Sequence, residues 1–284
     1  MKITELKLMA NTVRKDIITA IHAAKSGHPG GSLSAADILT YLYFEKMRIL
    51  PDQPFWADRD RFVLSKGHNA PALYACLAER GYFPREELLK LRHTGALLQG
   101  HPDMKHIPGV DMSTGSLGQG ISAAVGMALG ARIDHRDLHV YALLGDGELE
   151  EGQVWEAAMF AGFRRLDNLT VIIDNNNLQI DGSINDVCSA KPIDKKFEAF
   201  NFHVIRIEDG NDMEQIRDAF RRADHLSGKP VAIIASTVKG RGISFMEDVA
   251  GWHGKAPNDA EYALAMKELE DAARKLAAEQ KEQR

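Results

Sequence analysis

The chain has 284 residues, 44% of them hydrophobic and 26% charged, with a formal net charge of −5. That length can bury one substantial core, and the mild negative charge gives no electrostatic reason to expect nucleic acid. Two cysteines, Cys76 and Cys188, offer no disulfide framework; with no signal-peptide pattern and no apolar run of about 18 residues, the expectation is a cytoplasmic protein without a membrane partner.

In chain order, the first informative stretch is Ser26-Gly27-His28-Pro29-Gly30. From about Arg61 to Thr237 strand-like and helix-like runs alternate, which predicts an α/β fold with a mostly parallel sheet flanked by helices. Leu64-Ser65-Lys66-Gly67-His68 and Gln99-Gly100-His101-Pro102 again seat a histidine beside a glycine. Ser113 to Gly120 is a glycine-rich loop entering a helix of small residues; its glycines fall in the wrong order for a dinucleotide fingerprint, and no strand directly precedes it. His139–Leu144 reads as a buried strand ending in Gly145-Asp146-Gly147, Glu151–Arg165 as a helix, and Leu169–Ile173 as a second strand closed by Asp174-Asn175-Asn176-Asn177. Val231–Thr237 is a further apolar strand, with Lys239 in the loop at its carboxyl end. His253 follows between Trp252 and Gly254, and Asp259–Arg284 reads as a solvated, charged helix fraying to a polar tail. No linker, repeat or low-complexity run divides residues 1–284, so a single domain is expected, with the helical tail from about 259.

The segment from His139 to Gly182 carries the most chemistry. It reads as one βαβ unit, and ligands of open parallel sheets bind beyond the carboxyl ends of the strands. Adjacent strands lie roughly 4.8 Å apart, so Asp146 and Asn176 can turn oxygens toward one cation, while the glycines flanking Asp146 admit phosphate oxygens to the backbone. A cation such as Mg²⁺ takes about six oxygens, only some of them from protein. Asp-Gly and Asn-Asn are individually common turn dipeptides; it is their joint placement after two strands that points to a diphosphate-metal site. Likewise each Gly-flanked histidine alone is an ordinary loop residue, but four in one chain point to a polyhydroxylated or phosphorylated ligand. No His-Glu-x-x-His or Cys-x-x-Cys spacing supports zinc.

The Gly-Asp-Gly to Asn-Asn-Asn segment closely resembles the thiamine-diphosphate fingerprint. Joined to Ser-Gly-His-Pro, DRDRFVLSKGHNAPALYACLAERG, QGHPD, STGSLGQGISAAVGMALGAR, TVKGRGISF and WHGKAP, it resembles the amino-terminal half of the transketolase family from about Asn11 to about Pro257. That resemblance implies a thiamine-diphosphate-binding fold. It implies Mg²⁺, or Ca²⁺ or Mn²⁺ in its place, held by Asp146, Asn176 and the carbonyl of Leu178. It also implies Gly147 and Lys239 at the diphosphate, Lys66 and His68 nearby, Gly115, Ser116 and Leu117 along the cofactor rings, and His253 with Asn176 among the other cofactor-binding residues. His28, His68, His101 and His253 are expected to donate to sugar oxygens, His253 and His28 also handling protons. Glu151 resembles an interface carboxylate, although a solvated glutamate favoured by the helix dipole explains it as well.

The family's next domain, which supplies the aminopyrimidine pocket and its glutamate, is not in this sequence. The expectation is therefore one subunit of a split transketolase, working with a carboxyl-terminal subunit in an α2β2 heterotetramer on sugar phosphates. Pentose-phosphate intermediates are the default substrates, with branched or sulfonated sugars open. The alternatives are a subunit of a thiamine-diphosphate enzyme acting on a 2-oxo acid and a non-catalytic cofactor-binding module.

Overall fold

A computed structural model describes residues 1–282. Five parallel strands form its sheet: β1 (Arg61–Leu64), β2 (Val140–Gly145), β3 (Leu169–Asn175), β6 (His203–Ile207) and β7 (Val231–Ser236), in the order β1-β2-β3-β7-β6. A short antiparallel hairpin, β4 (Leu178–Gln179) with β5 (Gly182–Ser183), follows β3.

The central strands β2, β3 and β7 read as continuous apolar runs because both faces of the sheet are covered there. Phe62, Leu64, Tyr141, Leu143 and Ile172 enter one core. That core is shared with α1 (Ile3–Ala24), the short α2 (Pro29–Ser34), α3 (Ala36–Tyr41) and α4 (Ala70–Glu79). Their neighbours Val63, Val140, Ala142, Leu144, Val171 and Ile173 enter the other, against α5 (Gln119–Ile133) and α6 (Gly152–Arg164). Alternation along each strand thus fills two cores with period 2. After the small α7 (Ile184–Val187), α8 (Ile193–Ala199) completes the second face and α9 (Met213–Asp224) the first.

Expected and observed elements agree to within two residues. The first strand of the βαβ unit begins at Val140 and includes Gly145, the second runs on to Asn175, and the third stops at Ser236. The crossover helix begins at Gly152, with Glu151 in extended conformation at its N-cap, because Gly147–Glu150 first makes a 3₁₀ turn. The closing helix is a correction. α10 (Asp259–Glu282) is not merely solvated: Ala265 and Leu269 are fully buried against α1, and Asn11 Nδ2 donates to the Leu269 carbonyl at 2.9 Å. Tyr262 stacks on His22 with ring centroids 4.1 Å apart. Tyr262, Ala265 and Leu269 form a narrow stripe at helical spacing, masked in the sequence by the surrounding charge. The end of the expected polar tail, residues 283 and 284, lies outside the described residues.

Candidate active site

The floor of the site is set by strand register. β2 and β3 are neighbours with Gly145 opposite Asp174, so the chain leaves both strands side by side at Asp146 and at Asn175–Asn177. Asp146 is 2% exposed; its Oδ1 accepts from the Gly147 N–H at 2.9 Å and its Oδ2 from the Asn177 N–H at 2.5 Å. Asn177 holds a left-handed φ of 62°, which turns the chain back after β3. Asn176 is buried, and its Oδ1 accepts from the Leu178 N–H at 3.1 Å. The Leu178 carbonyl accepts from Lys239 Nζ at 3.0 Å.

A carboxylate, an amide oxygen and a main-chain carbonyl, all bordering one cavity, form a donor set suited to a hard cation. Among the described residues no group of three or more His, Cys, Asp or Glu side chains is placed for a metal, so nothing here suits a softer ion better. Burial, reinforced by the charge of Asp174, pushes the Asp146 carboxyl up to about 6 despite its two backbone hydrogen bonds. A bound cation would favour the ionised form and relieve that cost. The residues present therefore fit a metal, and the ammonium of Lys239 already sits on one of the proposed oxygens.

Asp174 organises the cations around this floor. It is fully buried and accepts from Ser34 Oγ at 2.5 Å, from Thr237 Oγ1 and from Lys66 Nζ. Lys66 is thus paired within the protein, yet it still lines the cavity. Lys239, at the end of β7, is 2% exposed and pushed down to about 8, first by burial and then by Lys66. Its ammonium is held at the cavity wall by a carbonyl and an imidazole, with no carboxylate paired to it among the described residues.

Three histidines cluster above. The ring centroids of His28 and His68 are 5.1 Å apart, those of His28 and His253 5.4 Å, and those of His68 and His253 5.2 Å. Loops bring them together: His28 sits at the N-cap of α2, where Pro29 opens the helix, and His68 in the turn before α4. Burial lowers their pKa values to about 4, about 2 and about 3 for His28, His68 and His253. Charge from Arg92, Lys66 and Lys239, respectively, is the next contribution. All three are neutral imidazoles at pH 7. Lys239 Nζ donates to His253 Nδ1 at 3.0 Å, so the remaining proton of that ring lies on Nε2, as a donor. His28 Nδ1 is buried without a hydrogen-bond partner among the described residues.

The cavity, about 460 Å³, joins floor to histidines. It brings together His28, Lys66, His68, Gly115, Leu117, Asp146, Gly147, Asn176, Leu178, Lys239 and His253, and Glu151 also lines it. Two sequence candidates fall outside. Ser116 is exposed, and His101 is exposed at the rim, its ring packed so closely over Gly115 that a Cβ there would meet His101 Cδ2 at 3.0 Å. The His101 loop is carried by its neighbours instead: Tyr74 Oη donates to the carbonyls of Gln99 and His101 at 3.0 and 2.9 Å. Sequence reading missed Glu148, Asp174 and Ile180. Asp174 opens the Asn turn, and its place at the strand end was the available signal. Ile180, 67% exposed, lies on the β4–β5 turn at the cavity mouth.

Comparison with known proteins agrees with this geometry. Residues 5–276 match the family model described as transketolase, thiamine diphosphate binding domain. The chain is 47% identical over 266 residues to a 6-deoxy-6-sulfo-D-fructose transketolase subunit of Clostridium sp. (strain MSTE9), covering 94% of this chain and 96% of that one. It is 42% identical over 279 residues to an apulose-4-phosphate transketolase subunit of Phocaeicola vulgatus, covering 98% and 99%. A solved transketolase from Campylobacter jejuni superposes with a TM-score of 0.89 at 35% identity, over 96% of this chain. The chain spans only 43% of the length of that enzyme.

Proposed function

We propose, since the chain belongs to the transketolase family through its thiamine diphosphate binding domain, that it is the diphosphate-binding half of a transketolase divided between two chains. The observation that carries this reading is the single cavity in which Asp146, Asn176 and the Leu178 carbonyl meet Lys239, His28, His68 and His253. The reaction is reversible transfer of a two-carbon ketol unit from a ketose to an aldose, each carrying a terminal anionic group. Phosphate is the first choice. The names of the two half-length relatives, one for a sulfonated fructose and one for apulose 4-phosphate, favour a substrate outside the ordinary pentose phosphates.

Asp146, Asn176 and the Leu178 carbonyl would hold Mg²⁺, and Gly147 and Lys239 would receive the diphosphate. Gly115 and Leu117 would border the cofactor rings. Thiamine diphosphate, when bound, supplies the nucleophilic carbon that takes up the donor carbonyl and carries the two-carbon unit between sugars. This chain's own residues bind and orient. Neutral His28, His68 and His253 can each donate one hydrogen bond to a sugar oxygen, and His253 presents its Nε2–H as the group that exchanges a proton. His101, at the rim, would donate to a sugar oxygen at the cavity mouth. Lys239 fixes the His253 tautomer and adds positive charge beside the diphosphate.

The partner is a carboxyl-terminal subunit carrying the pyrimidine-binding half, in an α2β2 assembly. Both half-length relatives are matched over nearly their whole length, whereas the single-chain enzyme is matched over less than half, which supports a second chain. Exposed Ile133 on α5 and Phe163 on α6 share one shallow groove, with Met159 and Phe160 also exposed on α6, and this apolar surface fits burial in such an assembly. Among the described residues no helix is long and apolar enough to cross a membrane. With Cys76 and Cys188 both free, the cytoplasm suits the complex. The decisive experiment mixes the purified chain with its candidate partner, thiamine diphosphate and Mg²⁺, and assays ketol transfer. Turnover is expected from the pair and none from this chain alone; robust turnover by the single chain would refute the split.

A further inference from the structure

Glu148 is absent from the sequence candidates, yet three walls of the cavity meet at its carboxylate. It is 3% exposed and lies on the 3₁₀ turn two residues after Asp146. Oε1 accepts from Ser65 Oγ at 2.5 Å and from the Gly118 N–H at 2.9 Å, and Oε2 accepts from the Gly145 N–H at 3.1 Å. The donors come from three segments remote in sequence: the loop after β1, the glycine-rich loop before α5, and the last residue of β2. Each segment also carries residues given above to the cofactor, namely Lys66 and His68, then Gly115 and Leu117, then Asp146 and Gly147.

Backbone packing shows how little slack separates these segments. A Cβ on Gly67 would meet the Gly115 nitrogen at 2.7 Å, and one on Gly120 would meet Ser65 Cα at 2.6 Å. Gly118, whose N–H reaches Glu148, holds a left-handed φ of 79°, and a Cβ there would meet Glu151 Cβ at 2.8 Å. At such contacts a displacement of a few tenths of an ångström moves the whole loop. An ionised carboxylate has acceptor sites for all three donors, whereas an amide would turn an NH₂ toward one of them.

We infer that Glu148 is a positioning residue that fixes the glycine-rich loop against the Asp146 turn and thereby sets the affinity of the site for thiamine diphosphate. It acts through the backbone of Gly118 and Gly145 and through the Ser65 hydroxyl. This inference rests on the function proposed above, since it needs the cavity to be a cofactor site.

The test is calorimetric titration of thiamine diphosphate, at saturating Mg²⁺, into the chain reconstituted with its partner, alongside thermal melting of the cofactor-free complex. Glu148→Gln should raise the cofactor Kd at least tenfold, about 1.4 kcal/mol. The donor sugar's KM at saturating cofactor should stay within twofold, because no sugar contact is removed. Ser65→Ala, which deletes one donor of three, should raise the Kd two- to fivefold with the melting temperature unchanged. A Glu148→Gln complex that melts earlier but binds cofactor with unchanged Kd would reduce Glu148 to a structural carboxylate and overturn the inference. Should that variant fail to fold, Ser65→Ala decides: an unchanged Kd overturns the inference and a raised Kd supports it. Failure of the unmutated complex to bind thiamine diphosphate would instead overturn the functional reading, so the two failures are read separately.

Discussion

The floor of the cavity and its histidine wall are built by different means. On the floor, Asp146 and Asn176 leave adjacent strands whose register pairs Gly145 with Asp174, and backbone hydrogen bonds from Gly147, Asn177 and Leu178 hold their oxygens. In the wall, His28, His68 and His253 come from three loops scattered along the chain and converge to within about 5.5 Å between rings. The floor is therefore rigid wherever the sheet is intact, while the wall depends on loop packing. Its side chains also bring almost no charge of their own, since burial keeps all three imidazoles neutral. Such a division suits a site that holds one constant group, a metal diphosphate, at its base and a changing sugar at its mouth.

Substitutions on the two sides should separate these roles, and the floor gives the largest effect. Asp146→Ala should abolish metal-dependent thiamine diphosphate binding by the reconstituted complex while leaving the circular dichroism spectrum unchanged. Unchanged cofactor affinity by calorimetry would remove the metal assignment and, with it, the contrast between floor and wall.

In the wall, His253→Ala should cost the most, because it deletes a proton-exchanging donor as well as a contact. A loss of about 10²–10⁴-fold in kcat/KM is expected, the usual range for general acid–base groups. Lys239→Met joins the two regions. Losing a charged hydrogen-bonding partner, worth about 1.5–3 kcal/mol, should weaken cofactor binding by roughly 10- to 150-fold and also relax the His253 tautomer. A variant with normal cofactor Kd would place the diphosphate elsewhere.

His28→Ala and His101→Ala should each cost about 1–3 kcal/mol in transition-state stabilisation, roughly 5- to 150-fold in kcat/KM, with little change in melting temperature. The cavity geometry sharpens this: His28 lines the site and His101 stands at its rim, so the His28 loss should be the larger. Lowered melting temperature with near-normal kinetics in both would make these histidines loop-shaping residues.

The smallest effect is on stability against pH. For His28 and His68 the folded pKa is depressed, from 6.5 to about 4 and to about 2. The unfolded chain therefore binds more protons below pH 6.5, and their contribution to stability is present above that pH and lost as pH falls toward about 4 for His28 and about 2 for His68. Replacing His28 by Gln should make the decline in melting temperature between pH 7 and pH 4.5 shallower by a few degrees, on the order of 1 kcal/mol once the linkage is discounted for the ring's partial exposure to solvent. An identical slope in the variant would mean that His28 is not held neutral by burial.

Much of the fold and of the site was legible in the sequence because its signals are local. Continuous apolar runs ending in Asp-Gly and Asn-Asn state where strands stop, and the strand ends of a parallel sheet are where ligands bind. This put Asp146, Asn176 and Lys239 at one end of the sheet, and loop glycines marked His28, His68, His101 and His253 as a set. Legibility failed where a role depends on what lies opposite. Glu148 and Asp174 look like ordinary turn and strand-end carboxylates until the donors of Ser65, Gly118, Ser34, Thr237 and Lys66 are brought to them. His101 shares its Gly-His motif with the cavity histidines but is held at the rim by the packing of its loop over Gly115. The buried stripe of α10 was hidden by the charge on its other faces.

Sequence alone determined the α/β class, the site at the carboxyl ends of the strands, and the chemical types gathered there: hard oxygen donors, a lysine and Gly-flanked imidazoles. Periodicity and residue type are properties of short segments, and they survive without knowledge of neighbours. Only the tertiary structure decided which imidazoles share a cavity, which lysine is neutralised by Asp174 and which keeps its charge for a ligand, and how three loops are held at one buried carboxylate. Burial and pairing are relations between distant segments, and they exist only once the chain has folded.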